Sequence, residues 1–284
     1  GFAKTGMYSV IIGAVLNIVL DPVFIFALHM GVAGAAVATV LSQMASCAFV
    51  LSFLFGKKVP VKISFGGYDR KLIQRILLVG FTPFIIIAVD NVMIISMNSV
   101  LQTYGGPGEG DMLITCATIV QSFMLVITMP LGGITGGTQT ILAFNYGAGQ
   151  PDRVKKAQRF IFFLSAGYTT ILFILAQTAG HIFVRLFTSD PALIAEAAKT
   201  IKIYTLAVIP LSIQYVIVDG FTGLGKVQLS LPLSFFRKLV YFLPLFLLPR
   251  FFGARATFYA EPISDIIAPV VSIFIYAVAM KRIL

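Results

Sequence analysis

The chain has 284 residues, of which 58% are hydrophobic and only 11% charged. A soluble domain carries about 25% charged residues, so a soluble single-core enzyme is excluded for want of polar surface, and disorder is excluded by the apolar mass. The 21 Lys and Arg against 11 Asp and Glu give a net charge of +10, which in a polytopic membrane protein reflects basic loops on one face of the bilayer rather than nucleic-acid binding.

A bilayer crossing takes about 20 apolar residues. Apolar runs bounded by charge or turn residues predict eight helices, over 7–30, 31–55, 72–103, 111–144, 157–180, 198–220, 228–249 and 257–280. The expected class is all-α and polytopic. Only a tight turn near His29, Met30 and Gly31 separates the first two. Residues 56–71, with Gly56-Lys57-Lys58, Pro60 and Gly66-Gly67-Tyr68-Asp69-Arg70-Lys71, shift in composition and read as a cytoplasmic linker between 1–55 and 72–284. The fourth run is unusual, since 112–151 carry no charge. Pro130 and the glycines at 132, 133, 136 and 137 are expected to bend it or to admit a neighbouring helix.

Basic residues set the topology. Lys4, Lys57, Lys58, Lys62, Arg70, Lys71, Arg75, Arg153, Lys155, Lys156, Arg159, Lys226, Arg237, Lys238, Lys281 and Arg282 fall on one side, 16 of the 21. The positive-inside rule makes that side cytoplasmic, with both termini. The chain opens on Gly1 and a hydrophobic span, without the layout of a signal peptide. Enzymatic motifs are mostly absent. Cys47 and Cys116 lie in apolar runs, and His29 and His181 lack a zinc spacing. The run from Gly220 to Lys226 looks like a phosphate loop, but Val227 follows where Ser or Thr belongs, so it reads as a turn.

Shifting the chain on itself by 222 residues pairs Pro22 with Pro244, Phe24 with Phe246, Gly31 with Gly253, Ala38 with Ala260 and Ser42 with Ser264. Both copies are the same hairpin, six helices apart. An even offset means parallel repeats, a secondary-transporter device. On that period 72–284 is one six-helix repeat and 1–55 the last two helices of another, so four helices are expected to precede it.

Charges inside spans are costly and seldom idle. Asn17 and Asp21 share a helix face, and Pro22 frees the carbonyl of Ile18. The three together suit Na⁺ or a transferable proton; the plainer reading is a helix-end aspartate bonded to water. Asp90, beside Asn91, sits mid-span, where it carries a proton or is locked by an interhelical hydrogen bond. Asp219 is expected to pair with Lys226, and Glu261 and Asp265 to line a cavity or cluster with Arg255. Gln121 and Gln214 are polar groups inside spans, and Met93 and Met124 offer an adaptable apolar wall or ordinary packing.

Leu16-Asn-Ile-Val-Leu-Asp-Pro-Val-Phe-Ile-Phe, then Gly31-Val-Ala-Gly-Ala-Ala-Val-Ala-Thr-Val-Leu-Ser-Gln43, resembles helices five and six of the multidrug and toxic compound extrusion (MATE) transporters. Met129-Pro-Leu-Gly-Gly, Ala143-Phe-Asn-Tyr-Gly-Ala-Gly149 and Gly223-Leu-Gly-Lys226 look like later family segments. The resemblance implies a twelve-helix, two-lobe fold, covered here from its fifth helix onward. It implies a monomeric H⁺- or Na⁺-coupled antiporter exporting amphipathic, often cationic drugs across the plasma (inner) membrane, without a further cofactor. Asn17, Asp21 and Thr39 match the family's N-lobe cation site, and Asp90 falls where some branches carry an acid. Asn91, Met93, Gln121, Met124 and Gln214 are the expected substrate-cavity groups. The sister alternative is a lipid-linked oligosaccharide flippase, disfavoured by the scarcity of basic residues expected within the membrane. A different-class alternative is a non-transporting scaffold.

Overall fold

The computed structural model describes residues 2–56, 59, 66 and 69–283, with side chains at all of them except 3, 75, 76 and 78–83. Eight α-helices follow in order: α1 (Ala3–Pro22), α2 (Gly31–Leu54), α3 (Arg70–Gly147), α4 (Pro151–Val184), α5 (Pro191–Tyr204), α6 (Val208–Gly223), α7 (Val227–Phe252) and α8 (Ala260–Ile283). A five-residue π-turn (Val23–Ala27) extends α1, and a 3₁₀ turn (Ala254–Tyr259) leads into α8.

If straight, the 78 residues of α3 would span about 117 Å, several times the thickness of a bilayer's hydrocarbon core. It is broken at Gly106, Pro107 and Gly108, whose dihedrals are not helical. A Cβ on Gly105 would lie 2.8 Å from Gly110 Cα, and one on Gly110 3.3 Å from Gln102 Cα. Residues eight apart meet only where the chain doubles back, so the two arms of α3 are separate crossings. Conversely α5 and α6, bent by 49° at their junction, make one broken crossing. Eight crossings result among the described residues, in the order the sequence predicts.

The chain clusters into two units, Gly1–Arg75 and Ile76–Leu284. Most of the expected linker at 56–71 lies outside the described residues. In the first unit α1 and α2 form a hairpin of small residues. Ser46 donates to the Ser9 carbonyl at 2.7 Å, and a Cβ on Gly34 would come within 2.7 Å of the Phe24 carbonyl oxygen. Pro22 has no N–H to give Ile18, and the following Val23 N–H turns to Leu20. The helix thus loosens where Asp21 sits. His29 and Gly31 then take positive φ of 52° and 55° to reverse the chain.

The second unit has one main core in which Met97, Leu101, Leu113, Val120, Ile127, Leu211, Leu245 and Phe258 pack together. Its outer faces are apolar, as at Phe144, Phe160 and Phe274, because their solvent is lipid rather than water. Pro130 does not break the helix: helical dihedrals continue through it. The carbonyl that Pro130 leaves without an N–H is that of Val126, and the Tyr168 hydroxyl donates to it from α4 at 2.7 Å. No helix approaches closely at Gly132, Gly133, Gly136 or Gly137, where an added Cβ would meet nothing within 4 Å. The close approach is instead at Gly223, 3.0 Å from the Gln139 backbone by the same measure.

Three of the five repeated pairs behave alike; Pro22 is exposed where Pro244 is buried, and Phe24 is half-buried where Phe246 is exposed. Gly31 and Gly253 both have positive φ. Ala38 and Ala260 are both buried, and so are Ser42 and Ser264. Each serine returns its hydroxyl to the preceding helical turn, to Ala38 and Glu261 respectively, at 2.8 Å.

Candidate functional site

Two polar constellations stand inside the membrane-spanning segments, one in each unit. In the first, Asn17 and Asp21 sit one turn apart on α1 and face Thr39 on α2. The Asn17 amide donates to Asp21 Oδ1 at 3.2 Å and reaches Thr39 Oγ1 at 3.5 Å. Thr39 donates its own proton to the Ala35 carbonyl at 2.9 Å, which leaves its lone pairs facing Asn17. Among the described residues no Lys or Arg pairs with Asp21. The sequence brings Asn17 and Asp21 together by helical spacing; the turn at 29–31 adds Thr39.

The second constellation surrounds a cavity of about 760 Å³ bordered by Asp90, Gln214, Asp219, Ser234, Arg237 and Lys238. Here the structure corrects three expectations. Arg237 and Lys238 do not belong to a basic face; they lie midway along α7 and both are largely buried. Arg237 binds Asp265 at 2.8 Å and Glu261 at 3.2 Å, both on α8. Lys238 binds Asp90 and donates to the Ile86 carbonyl at 2.7 Å, both on the first arm of α3. Glu261 and Asp265 therefore partner Arg237 rather than Arg255. Arg255 instead reaches Glu196 at 2.7 Å and Glu109 at 3.4 Å. The buried charges must be matched in this way because an isolated one costs several kcal/mol.

Asp219 is the third correction. It accepts from Thr135 at 2.5 Å and from Gln139 at 3.0 Å, both on the second arm of α3. Lys226 lies elsewhere, its ammonium 5.7 Å from the centre of the Tyr146 ring. The Thr135 hydroxyl has one proton and two acceptors in reach, since the Leu131 carbonyl is 3.1 Å away. If that proton points to Leu131, only a protonated Asp219 can complete the short bond. If it points to Asp219, the carboxylate is charged. The same heavy-atom arrangement therefore accommodates either protonation state.

The remaining predicted residues are scattered. Gln214 lines the cavity but is fixed, donating to the Leu233 carbonyl at 3.2 Å and accepting from Ser272. Met93 and Met124 pack in the core. Gln121 reaches Met97 Sδ at 3.7 Å, and Asn91 is exposed and bonds back to Ile87. Arg237 and Lys238 were missed as site residues, although the predicted span 228–249 already places them near its centre. The side-by-side tally of basic residues hid them. Four acids, Asp90, Asp219, Glu261 and Asp265, stand against these two cations, so the cavity region carries no excess of positive groups.

The MatE family model matches residues 86–247 of this chain. The chain belongs to the MatE family. Other comparisons agree with membership in MatE. The multidrug export protein MepA of Staphylococcus haemolyticus is 23% identical over 262 residues, covering 92% of this chain and 57% of that protein. MepA of Staphylococcus aureus (strain bovine RF122 / ET3-1) is 22% identical, covering 99% of this chain and 62% of its own length. A crystal structure of a MATE protein in the straight conformation superposes with a TM-score of 0.87 at 21% identity, covering all of this chain and 64% of that one. The fold is thus that of the MATE transporters, and the chain spans about three-fifths of the length of these MatE relatives.

Proposed function

We propose that the chain is the larger part of a cation-coupled multidrug antiporter, with H⁺ or Na⁺ as the driving ion and amphipathic, often cationic drugs as cargo. Residues 1–55 form the last two helices of the N-terminal lobe, 56–71 join the lobes, and 72–284 form the C-terminal lobe. The ends at Lys4, at Arg153 to Arg159, at Lys226 and at Lys281 face the cytoplasm, and the membrane is the plasma membrane. The full-length protein works as a monomer.

The observation that carries this reading is the meeting of Asn17, Asp21 and Thr39 across two helices, with no cation of the protein paired to the carboxylate among the described residues. A proton needs only Asp21. Na⁺ would take Asp21, the amide oxygen of Asn17 and Thr39 Oγ1, with further oxygens from elsewhere. Asp90 is the second coupling carboxylate: a proton on it would release Lys238 into the cavity. Asn91, Met93, Gln121, Met124 and Gln214 contribute to the drug path, the methionines by repacking. The balance of four acids against two bases supports cationic cargo over a lipid-linked oligosaccharide.

The test is drug efflux by the full-length protein in cells, in Na⁺-free buffer and again with a protonophore. Asp21→Asn is expected to abolish efflux and Asp21→Glu to retain part of it. Full efflux with unchanged ion dependence in Asp21→Asn would refute the reading. Loss of efflux in Na⁺-free buffer identifies Na⁺, and loss with the protonophore identifies H⁺.

A further inference from the structure

A crevice of about 430 Å³ opens between α4, α6 and α8, away from the cavity that holds Asp90 and Asp219. Three kinds of group border it. Lys155 and Arg159, one turn apart on α4, stand at the rim and are exposed. Neither has an acidic partner among the described residues, and the Arg159 guanidinium lies 5.7 Å from the centre of the Phe163 ring. Below them the walls are apolar, from Phe163, Ile217 and Ile273. Between rim and wall is Gln158, only 6% exposed. Its amide nitrogen donates to the Val216 carbonyl at 2.9 Å, while its Oε1 is buried and receives no hydrogen bond.

Each feature asks for a different part of one ligand. Two unpaired cations at the end of a membrane helix attract a phosphate. Apolar walls facing the bilayer take an acyl chain. A buried acceptor without a donor costs about 1–3 kcal/mol until a hydroxyl or N–H reaches it. We propose that this crevice binds an anionic glycerophospholipid whose headgroup carries a free hydroxyl, such as phosphatidylglycerol. The phosphate sits between Lys155 and Arg159, the headgroup hydroxyl donates to Gln158 Oε1 once that side chain shifts outward from its packing on Gly220, and one acyl chain runs along Ile217 and Ile273. Zwitterionic choline lipids bring a cation to a rim that is already positive, and phosphatidic acid offers the phosphate without the headgroup glycerol.

Native mass spectrometry of the purified full chain from detergent tests this, with phosphatidylglycerol, phosphatidylcholine and phosphatidic acid offered in turn. Phosphatidylglycerol should be retained over phosphatidylcholine. Lys155→Gln with Arg159→Gln should cut that preference about twenty-five-fold, each cation near a membrane surface contributing about fivefold. Lys281→Gln with Arg282→Gln removes the same charge at the same end and should leave the preference unchanged. Gln158→Leu should erase the advantage of phosphatidylglycerol over phosphatidic acid without weakening phosphatidic acid. Unaltered gel-filtration profiles and melting temperatures show that the variants are folded. The proposal fails if wild type shows no lipid preference, if the Lys281 and Arg282 pair lowers it equally, or if millimolar inorganic phosphate displaces the lipid.

Discussion

At the scale of single residues, the cavity of the second unit is organised by pairing. Lys238 is almost fully buried while the Asp90 side chain is 47% exposed, so their removal is not symmetric. Asp90→Ala strands an ammonium group in the protein and should cost about 2 kcal/mol, less than for a fully enclosed pair. Asp90→Ala with Lys238→Met removes both charges and should recover most of that loss, as read by thermal unfolding in detergent. Asp219 should respond differently. Asn at this position can still accept from Gln139 and can donate to Thr135, as a protonated acid would, so Asp219→Asn should unfold within about 0.5 kcal/mol of wild type. Thr135→Val keeps the shape and loses the hydroxyl, and should cost about 1 kcal/mol or more. Equal losses in the two variants would mean that Asp219 is held only in its charged form. Of these residues, Asn17 with Asp21 was legible from spacing alone, since helical neighbours need no tertiary information. Asp219 with Thr135, 84 positions away, was not, because which helices pack together is not written in local periodicity.

At the scale of elements, the chain reverses at 105–108, in the gap between the predicted runs 72–103 and 111–144, and not at Pro130, where helical dihedrals continue. Gly105-Gly106-Pro107-Gly108 combines positive φ at Gly106 and Gly108 with backbone contact between arms, and that combination turns the helix back on itself. Pro130 lacks that company, and the Tyr168 hydroxyl supplies the missing donor for Val126. That substitution of a side-chain O–H for a backbone N–H depends on a residue 38 positions along the chain, so no local rule finds it. It makes a double-mutant cycle informative. Tyr168→Phe should destabilise by about 1 kcal/mol. It should cost much less in a Pro130→Ala background, where the restored backbone N–H bonds the Val126 carbonyl itself. Undiminished destabilisation there would show that Tyr168 acts through packing. The same locality explains the misplacement of Arg237 and Lys238. A tally by sides assumes that basic residues sit at helix ends; the span 228–249 already put these two near its middle, and the acids of α3 and α8 show how they are paired there.

At the scale of the molecule, the crossing count was legible, because it follows from apolar run lengths rather than from contacts; parity and the repeat are expectations read from that count and from residue identities. They give a topology that can be checked directly. In a Cys47→Ser, Cys116→Ser background, cysteines at Ala148 and Gly225 should react with a membrane-impermeant thiol reagent from one face only, and cysteines at Pro107 and Leu186 from the other. Labelling of Ala148 and Leu186 from the same face would reduce the number of crossings between them to an even one. The broken crossing made of α5 and α6 escaped the sequence reading, which expected one continuous span over 198–220. Gln177 splints that break, donating from α4 to the Lys202 carbonyl at 3.0 Å and to Thr205 Oγ1 at 3.3 Å. Beyond it α6 is an unbroken arm from Val208 to Gly223. Asp219 rides about 18 Å along the arm, so a swing of about 10° shifts its carboxylate by about 3 Å. Such a shift exceeds the tolerance of any hydrogen bond, so α6 cannot swing that far about the break without parting Asp219 from Thr135 and Gln139.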